Sequence, residues 1–331
     1  MYNNQSINNI IGGGRIQAID IARGIAMLLV IIQHNGAFNQ FVLSFHMPLF
    51  FMISGLVVNN SAPKTTFSQE IKNNTIRLLL PQLMLGLFEI LFIEVFGFYE
   101  THSFHTLSFN EVFNAIFRWW FLLVMFQIRL LIWLFRKYMI YSKWKQCVFI
   151  LSLVFLAACV QIREGHFYGM IGYPFLVPIS TLFVLIGYYA KKKLLKSSNV
   201  MSGLFIVLAL LFTIILAETN SMVFMYKADF GCIFLFMITA IVGSFCIIRF
   251  SNSFNSHFLA WVGEMSLPIY VLQFHINQYS RAIEALLLNA IGCENVNIKI
   301  ALTVLLSLSL CCFITYCISK NKITSVLFGL K

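Results

Sequence analysis

The sequence predicts an all-α fold: a polytopic integral membrane bundle of about ten transmembrane helices, with both termini cytoplasmic. Three observations predict it. The 331 residues are 60% hydrophobic and only 11% charged, with 35 phenylalanines, too few charges to cover the surface of a soluble chain this long. Apolar runs long enough to cross a bilayer recur from one end to the other. Lys and Arg alternate sides between those runs, as they do in membrane proteins.

The apolar segments fall at about 16–36, 41–58, 77–97, 113–135, 147–162, 170–190, 200–218, 229–249, 258–279 and 298–319. With the N-terminus inside, the inner stretches hold Arg15; Lys64 and Lys72; Arg136, Lys137, Lys143 and Lys145; Lys191, Lys192, Lys193 and Lys196; Arg249; and Lys320, Lys322 and Lys331. The outer loops hold only Arg163, Lys227, Arg281 and Lys299, with seven carboxylates from Glu100 to Glu294. This bias orients the chain. Trp119 and Trp120 are expected in an aromatic belt at the outer end of the fourth span. Residues 1–331 read as one membrane domain, with 1–14 a polar cytoplasmic tail and no attached soluble domain. That tail, MYNNQSINNIIGGG, lacks a cleavage site, so the first apolar run is a retained helix rather than a signal peptide.

Several function classes are excluded. The net charge of +11 comes from short loops between spans, which argues against nucleic acid. Most of the eight cysteines sit inside apolar runs, without CxxC or Cys/His ligand spacing, so neither a disulfide framework nor a metal site is expected. GGG at 12–14 lacks the strand and Lys-Ser/Thr of a phosphate loop, and there is no Gly-x-Ser-x-Gly elbow.

The informative residues are polar groups inside the spans. IDIARGIAMLLVIIQHN, residues 19–35, carries Asp20, Arg23 and His34. Arg23 and His34 lie about 16 Å apart along a helix, on roughly one face; Asp20 is placed to pair with Arg23. Snorkelling of Arg23 to the interface is the plain alternative. His46, Ser54 and Gly55 follow in the second span, Gly55 reading as helix packing. Glu89 and Glu94 lie in the third, Gln127 and Arg129 in the fourth, and Ser266, Tyr270, Gln273 and His275 in the ninth. Ionisable groups in hydrocarbon mark a site or a pathway unless they form a structural pair. Pro268 and Gly263 suggest a kinked ninth helix lining a cavity. His102 and His105 read as surface-loop residues.

A neutral histidine in an apolar bundle can accept a hydroxyl proton or be acylated itself. Arginines toward the cytoplasmic side suit the phosphates of a ligand entering there. A donor of acyl-coenzyme A shape meets both demands: charged nucleotide, long pantetheine arm, thioester at the tip.

RIQAIDIARGIAMLLVIIQH resembles the first helix of the acyltransferase 3 family of integral membrane O-acyltransferases, marked by an Arg, ten residues and a His, here Arg23 and His34. FHMPLFFMISGL resembles the second-helix signature of the fucose 4-O-acetylase-like branch. RLLLPQL (Arg77, Pro81), WWFLLVMFQIRLLIW and IGYYAKKK are similar to further family segments, in family order. WVGEMSLPIYVLQFHI resembles the late helix, which usually ends Tyr-x-x-His; here that position is Gln273, with His275 two residues on. The resemblance covers nearly the whole chain. It implies an enzyme of the cytoplasmic (inner) membrane that moves acetyl from cytoplasmic acetyl-CoA to a hydroxyl of a cell-surface glycan or lipid-linked sugar. Acetyl-CoA is then a co-substrate, and no permanently bound cofactor is expected. Succinyl is the rival acyl group. Some relatives carry an extracytoplasmic hydrolase-like domain; this chain ends without one, either as a standalone enzyme or as one needing a partner.

His34 is therefore expected to act as general base or acyl acceptor, Arg23 to position donor phosphates, and Asp20 to orient Arg23. His46, Ser54, Glu94, Arg129, Tyr270, Gln273 and His275 are expected to bind donor or acceptor. Partners are the acyl-CoA, the sugar acceptor and membrane lipids, with a homo-oligomer left open. A proton-coupled glycan transporter or flippase is the alternative, opposed by the absence of paired repeats with broken helices. A non-catalytic sensor would leave the Arg–His face without a purpose.

Overall fold

The computed structural model describes residues 16–84, 86–88, 90–91, 108, 112–113, 116–117, 119–162, 170, 172–195, 203–290, 292 and 294–329. Within them the chain is helical, with a single isolated bridge between Phe224 and Asp229. The principal helices are α1 (Gln17–His34), α2 (Asn39–Leu43), α3 (His46–Leu56), α4 (Phe67–Asn74), α5 (Trp120–Tyr138), α6 (Lys143–Ile162) and α7 (Val177–Leu195). They continue with α8 (Gly203–Thr219), α9 (Ile233–Ser253), α10 (His257–Glu264), α11 (Ser266–Ala290), α12 (Val296–Lys320) and α13 (Lys322–Leu327).

Five of the described helical stretches are long and apolar enough to cross a membrane: Gln17–His34, Lys143–Ile162, Pro174–Leu195, Ile233–Ser253 and Val296–Lys320. Gly203–Thr219 is a shorter apolar helix. Their outward faces are bare hydrocarbon, including Leu151, Phe155, Leu204, Phe205 and Leu305. In water such a surface would aggregate; in a bilayer it is solvated. The chain is a multi-pass membrane protein.

Polar caps begin the helices where the chain leaves a loop. Thr66 and Gln69 form a reciprocal capping box on α4, and Ser256, Asn295 and Asn321 accept backbone N–H groups at the starts of α10, α12 and α13. These bonds satisfy donors that have no intrahelical partner. Hydrogen bonds between segments then gather the chain into two ends. At one end Arg136 donates to the carbonyls of Asn59 and Ser61, Lys191 to that of Val58 and Arg249 to those of Lys193 and Leu194. At the other, Gln40 donates to Ala217 and Asn220, and Asn35 to Asn277. These bonds join helix ends to the loops beside them.

Inside, helices meet through glycines. A Cβ on Gly24 of α1 would collide with the Leu259 carbonyl of α10, and one on Gly263 with the Asp20 carbonyl. Gly55 of α3 and Gly187 of α7 meet the Val184 and Met52 carbonyls in the same way. Lipid offers no hydrophobic gain for joining two apolar helices, so close backbone contact supplies the association. Buried phenylalanines fill the remaining space, with Phe183 edge-on to Phe236 and Phe230 stacked on it.

Three sequence expectations change. The ninth segment is not one kinked helix: it breaks at Met265, between α10 and α11. Pro268 is the third residue of α11, where its missing N–H costs no intrahelical bond, so it interrupts no ladder. Gly263 does not loosen the helix start; it is a tight contact. Trp119 is 5% exposed, its ring edge-on to Tyr270 and Phe274, so it belongs to the bundle interior rather than an aromatic belt. Glu89, Glu94, His102, His105 and the 1–14 tail lie outside the described residues.

Gly55→Leu is expected to push α3 off α7 and to cost about 3 kcal/mol or more, as overpacking at a backbone contact does. Gly203, with nothing within 4 Å of its Cβ position, is the control. In fluorescence-detected size exclusion Gly55→Leu should lose the folded peak and Gly203→Leu should keep it.

Candidate active site

α1 places polar groups at both of its ends. Near the start, Arg23 Nη1 pairs with Asp20 Oδ1 at 3.4 Å; Asp20 is nearly enclosed, whereas Arg23 remains 30% exposed. That exposure opens into a cavity of about 140 Å³ lined by Arg23, Ser54, Arg77, Arg129, Glu264 and Tyr270, among others. Three elements distant in sequence deliver its three arginines.

Arg77 arrives through a π turn, Thr75–Leu79. Pro81, four residues later, has no N–H to give the Arg77 carbonyl, and a helix adapts to such a loss by locally changing its bonding. The residue matched a family segment in the sequence but was not expected in the site. A cation inside an apolar run was the signal available. Glu264 was also missed, because only the break at Met265 brings the end of α10 to the cavity.

Arg129 faces two spaces at once. Besides the first cavity it lines a second, also about 140 Å³, with Glu70, Trp133, Arg136 and Asn59. Ser54, Met125 and Arg129 form the wall common to both. Arg129 feels the charges of Arg77, Arg23 and Glu70, and its Nε has no hydrogen-bond partner among the described residues. Three guanidinium groups converging with partial acidic compensation favour an anion between them, and the planar fork of each suits phosphate oxygens. Tyr270 forms the apolar side, against Trp119 and Phe121.

The far end of α1 carries the histidines. A turn through Gly36, at φ 87°, a conformation glycine adopts freely, reverses the chain into α2 and then α3. There Phe45 seats its ring against Gly243 and fixes His46 as the first residue of α3. His46 is 4% exposed, and its Nδ1 lies 2.7 Å from the Val42 carbonyl. A carbonyl only accepts, so Nδ1 carries the hydrogen; in the neutral ring Nε2 then holds the lone pair. His34 is exposed at the end of α1 and within electrostatic reach of His46. Its carbonyl accepts from Arg281 Nη2 at 2.7 Å.

The structure thus brings Arg23, Ser54, Arg129 and Tyr270 to one cavity, with Asp20 behind Arg23, and leaves His34 at the opposite end of α1, within electrostatic reach of His46. Gln273 and His275 line neither cavity. Gln273 is buried on α11, and His275, two residues on, occupies another flank beside Phe274. Among the described residues no three His, Cys, Asp or Glu side chains gather as metal ligands would.

If the arginine cavity is an anion site, pyrophosphate or ADP should raise the melting temperature of the purified protein. Arg77→Ala or Arg129→Ala should each weaken that binding roughly 10- to 100-fold, the range for losing a charged hydrogen bond, as read by ligand titration.

A family model described as an acyltransferase domain matches residues 16–319. Nodulation protein NolL of Sinorhizobium fredii (strain NBRC 101917 / NGR234) is 26% identical over 143 residues, 39% of this chain and 38% of NolL. The chain therefore matches well under half the length of that curated relative. No solved structure matches. The match spans helices from α1 to α12, including the Arg23 and His34 ends of α1, and the chain belongs to the acyltransferase 3 family.

Proposed function

We propose that this membrane acyltransferase takes acetyl from cytoplasmic acetyl-CoA and places it on a hydroxyl of a cell-surface glycan or lipid-linked sugar. One observation carries the reading: Arg23, Arg77 and Arg129 converge in a single cavity at one end of the helix whose other end presents His34, within electrostatic reach of His46. The arginines hold the donor phosphates. The length of the pantetheine arm suits the separation along α1, about 16 Å from Arg23 to His34 at 1.5 Å per residue.

The chemistry follows from this layout. His34 takes the proton of the acceptor hydroxyl as its oxygen attacks the thioester carbonyl carbon. The carbon–sulfur bond breaks, coenzyme A leaves as thiolate and recovers a proton, and the acyl group becomes an ester. A positioned base contributes about 10²–10⁴ in rate. In the alternative order His34 first accepts the acyl group and then passes it on. His46, its Nδ1–H committed to Val42, presents Nε2 to position His34 or the acceptor hydroxyl. Asp20 holds Arg23. Ser54 and Tyr270 shape the donor cavity, and Gln273, His275 and Glu94 are reserved for the acceptor. The reading places one ten-span domain in the inner membrane with both termini cytoplasmic, so that the arginine end meets the acetyl-CoA pool.

Inverted membrane vesicles given radiolabelled acetyl-CoA should incorporate acetyl into envelope glycans. His34→Ala should reduce incorporation at least about 100-fold while the protein stays folded in the membrane. Arg23→Ala should chiefly raise the KM for acetyl-CoA. Incorporation by His34→Ala at the wild-type rate would overturn the mechanism, and an unchanged KM for Arg23→Ala would overturn the donor site.

His46→Asn offers a second check. Its side-chain amide can replace Nδ1–H at the Val42 carbonyl but supplies no ring nitrogen. Melting close to wild type with a large fall in kcat is expected; kcat equal to wild type would confine His46 to packing.

A further inference from the structure

α11 carries a polar feature that the arginine cavity does not use. It is as long as α12, 25 residues each, yet is absent from the apolar membrane-crossing set. Gln273, Asn277, Ser280 and Glu284 fall within an arc of about 60° on a helix of 3.6 residues per turn, and all four are buried. α12 carries its own buried row, Thr303, Ser307, Cys311 and Thr315, spaced four apart. The two helices pack together and are joined by 291–295. In an antiparallel hairpin closed by that five-residue connection, Glu284 falls about level with Thr303, Ser280 with Ser307, Asn277 with Cys311 and Gln273 with Thr315.

Facing hydroxyls and amides between membrane helices ordinarily bond across the seam. Here Gln273 Oε1, Ser280 Oγ, Glu284 Oε1, Ser307 Oγ and Thr315 Oγ1 are all buried without a hydrogen-bond partner among the described residues. On the side toward α1, Asn35 Nδ2 donates to Asn277 Oδ1 at 3.4 Å, while Asn35 Oδ1 is likewise unpartnered. Buried polar atoms seldom stay unbonded, and stranding these six would exact a cost comparable to a protein's whole stability. They recur at intervals of one or two turns on both walls, a spacing that a row of waters with two to four partners each would satisfy.

We infer that α11 and α12 enclose a file of ordered water, running from the His34 end of the bundle toward the level of Tyr270. The file hydrates the Glu284 carboxyl and reaches Asn35, the residue after His34. It passes one helical turn from Arg281, which holds the His34 carbonyl. It gives water and protons a route into the bundle beside the histidines, and it does not depend on which acyl group or acceptor the protein uses.

X-ray radiolysis footprinting of the wild-type protein in lipid nanodiscs tests this, because ordered water generates hydroxyl radicals in place. Cys311 lies on the file and is 0% exposed; Cys246, 4% exposed on α9, serves as the dry control. Cys311 should oxidise several-fold faster than Cys246, and Ser280→Leu with Ser307→Leu should bring it down to the control rate. Equal protection of both cysteines in the wild type would show a dry seam and overturn the proposal. So would rapid Cys311 oxidation that survives the leucine substitutions in folded protein, since the radicals would then arrive from the lipid side.

Discussion

The site rests on one close crossing. Gly24 and Gly263 let α1 and α10 approach until backbone meets backbone, and any side chain at either position would hold them apart. In a bilayer such a contact draws on van der Waals packing rather than on the hydrophobic effect, so it is sensitive to the loss of even one small residue. The crossing has a chemical consequence. It sets the Asp20 carbonyl against Gly263, and the chain then breaks at Met265. Glu264 and Ser266 are thereby delivered to the cavity that Arg23 enters.

From that crossing α1 acts as a spacer. One end stands among cations and the other carries His34, within electrostatic reach of His46, and the rigid helix keeps the two ends apart. The second glycine contact, Gly55 against α7, plays the same part for α3. α3 runs from His46 at the histidine end to Ser54 at the cavity wall. Two helices joined by a short reversal thus connect both parts of the site, and each is anchored by a glycine on a neighbouring backbone.

The buried polar rows of α11 and α12 are subject to the same constraint of a membrane interior. Polar groups persist there only when paired, hydrated or used. Arg136 and Lys191 are paired with loop carbonyls, and Arg249 with carbonyls in the last turn of α7. The hydroxyls of Ser280 and Ser307 have no such partner among the described residues, which sets their seam apart from the loops and from the arginine cavity.

By itself the sequence determined the all-helical membrane class, most helix positions, the pairing of Asp20 with Arg23 and the opposite placement of Arg23 and His34. These are local properties: hydropathy and charge are written residue by residue, and 1.5 Å per residue converts spacing along one helix into distance. The tertiary structure alone decided that Arg77 and Glu264 join Arg23 and Arg129, that Trp119 is interior, and that Gln273 and His275 line neither cavity. It also decided that the ninth segment breaks at Met265, ahead of Pro268. Each of these depends on which backbone a glycine lets close and on the register between helices far apart in sequence. Hydrophobic periodicity carries no record of that register, because every apolar face is equally soluble in lipid.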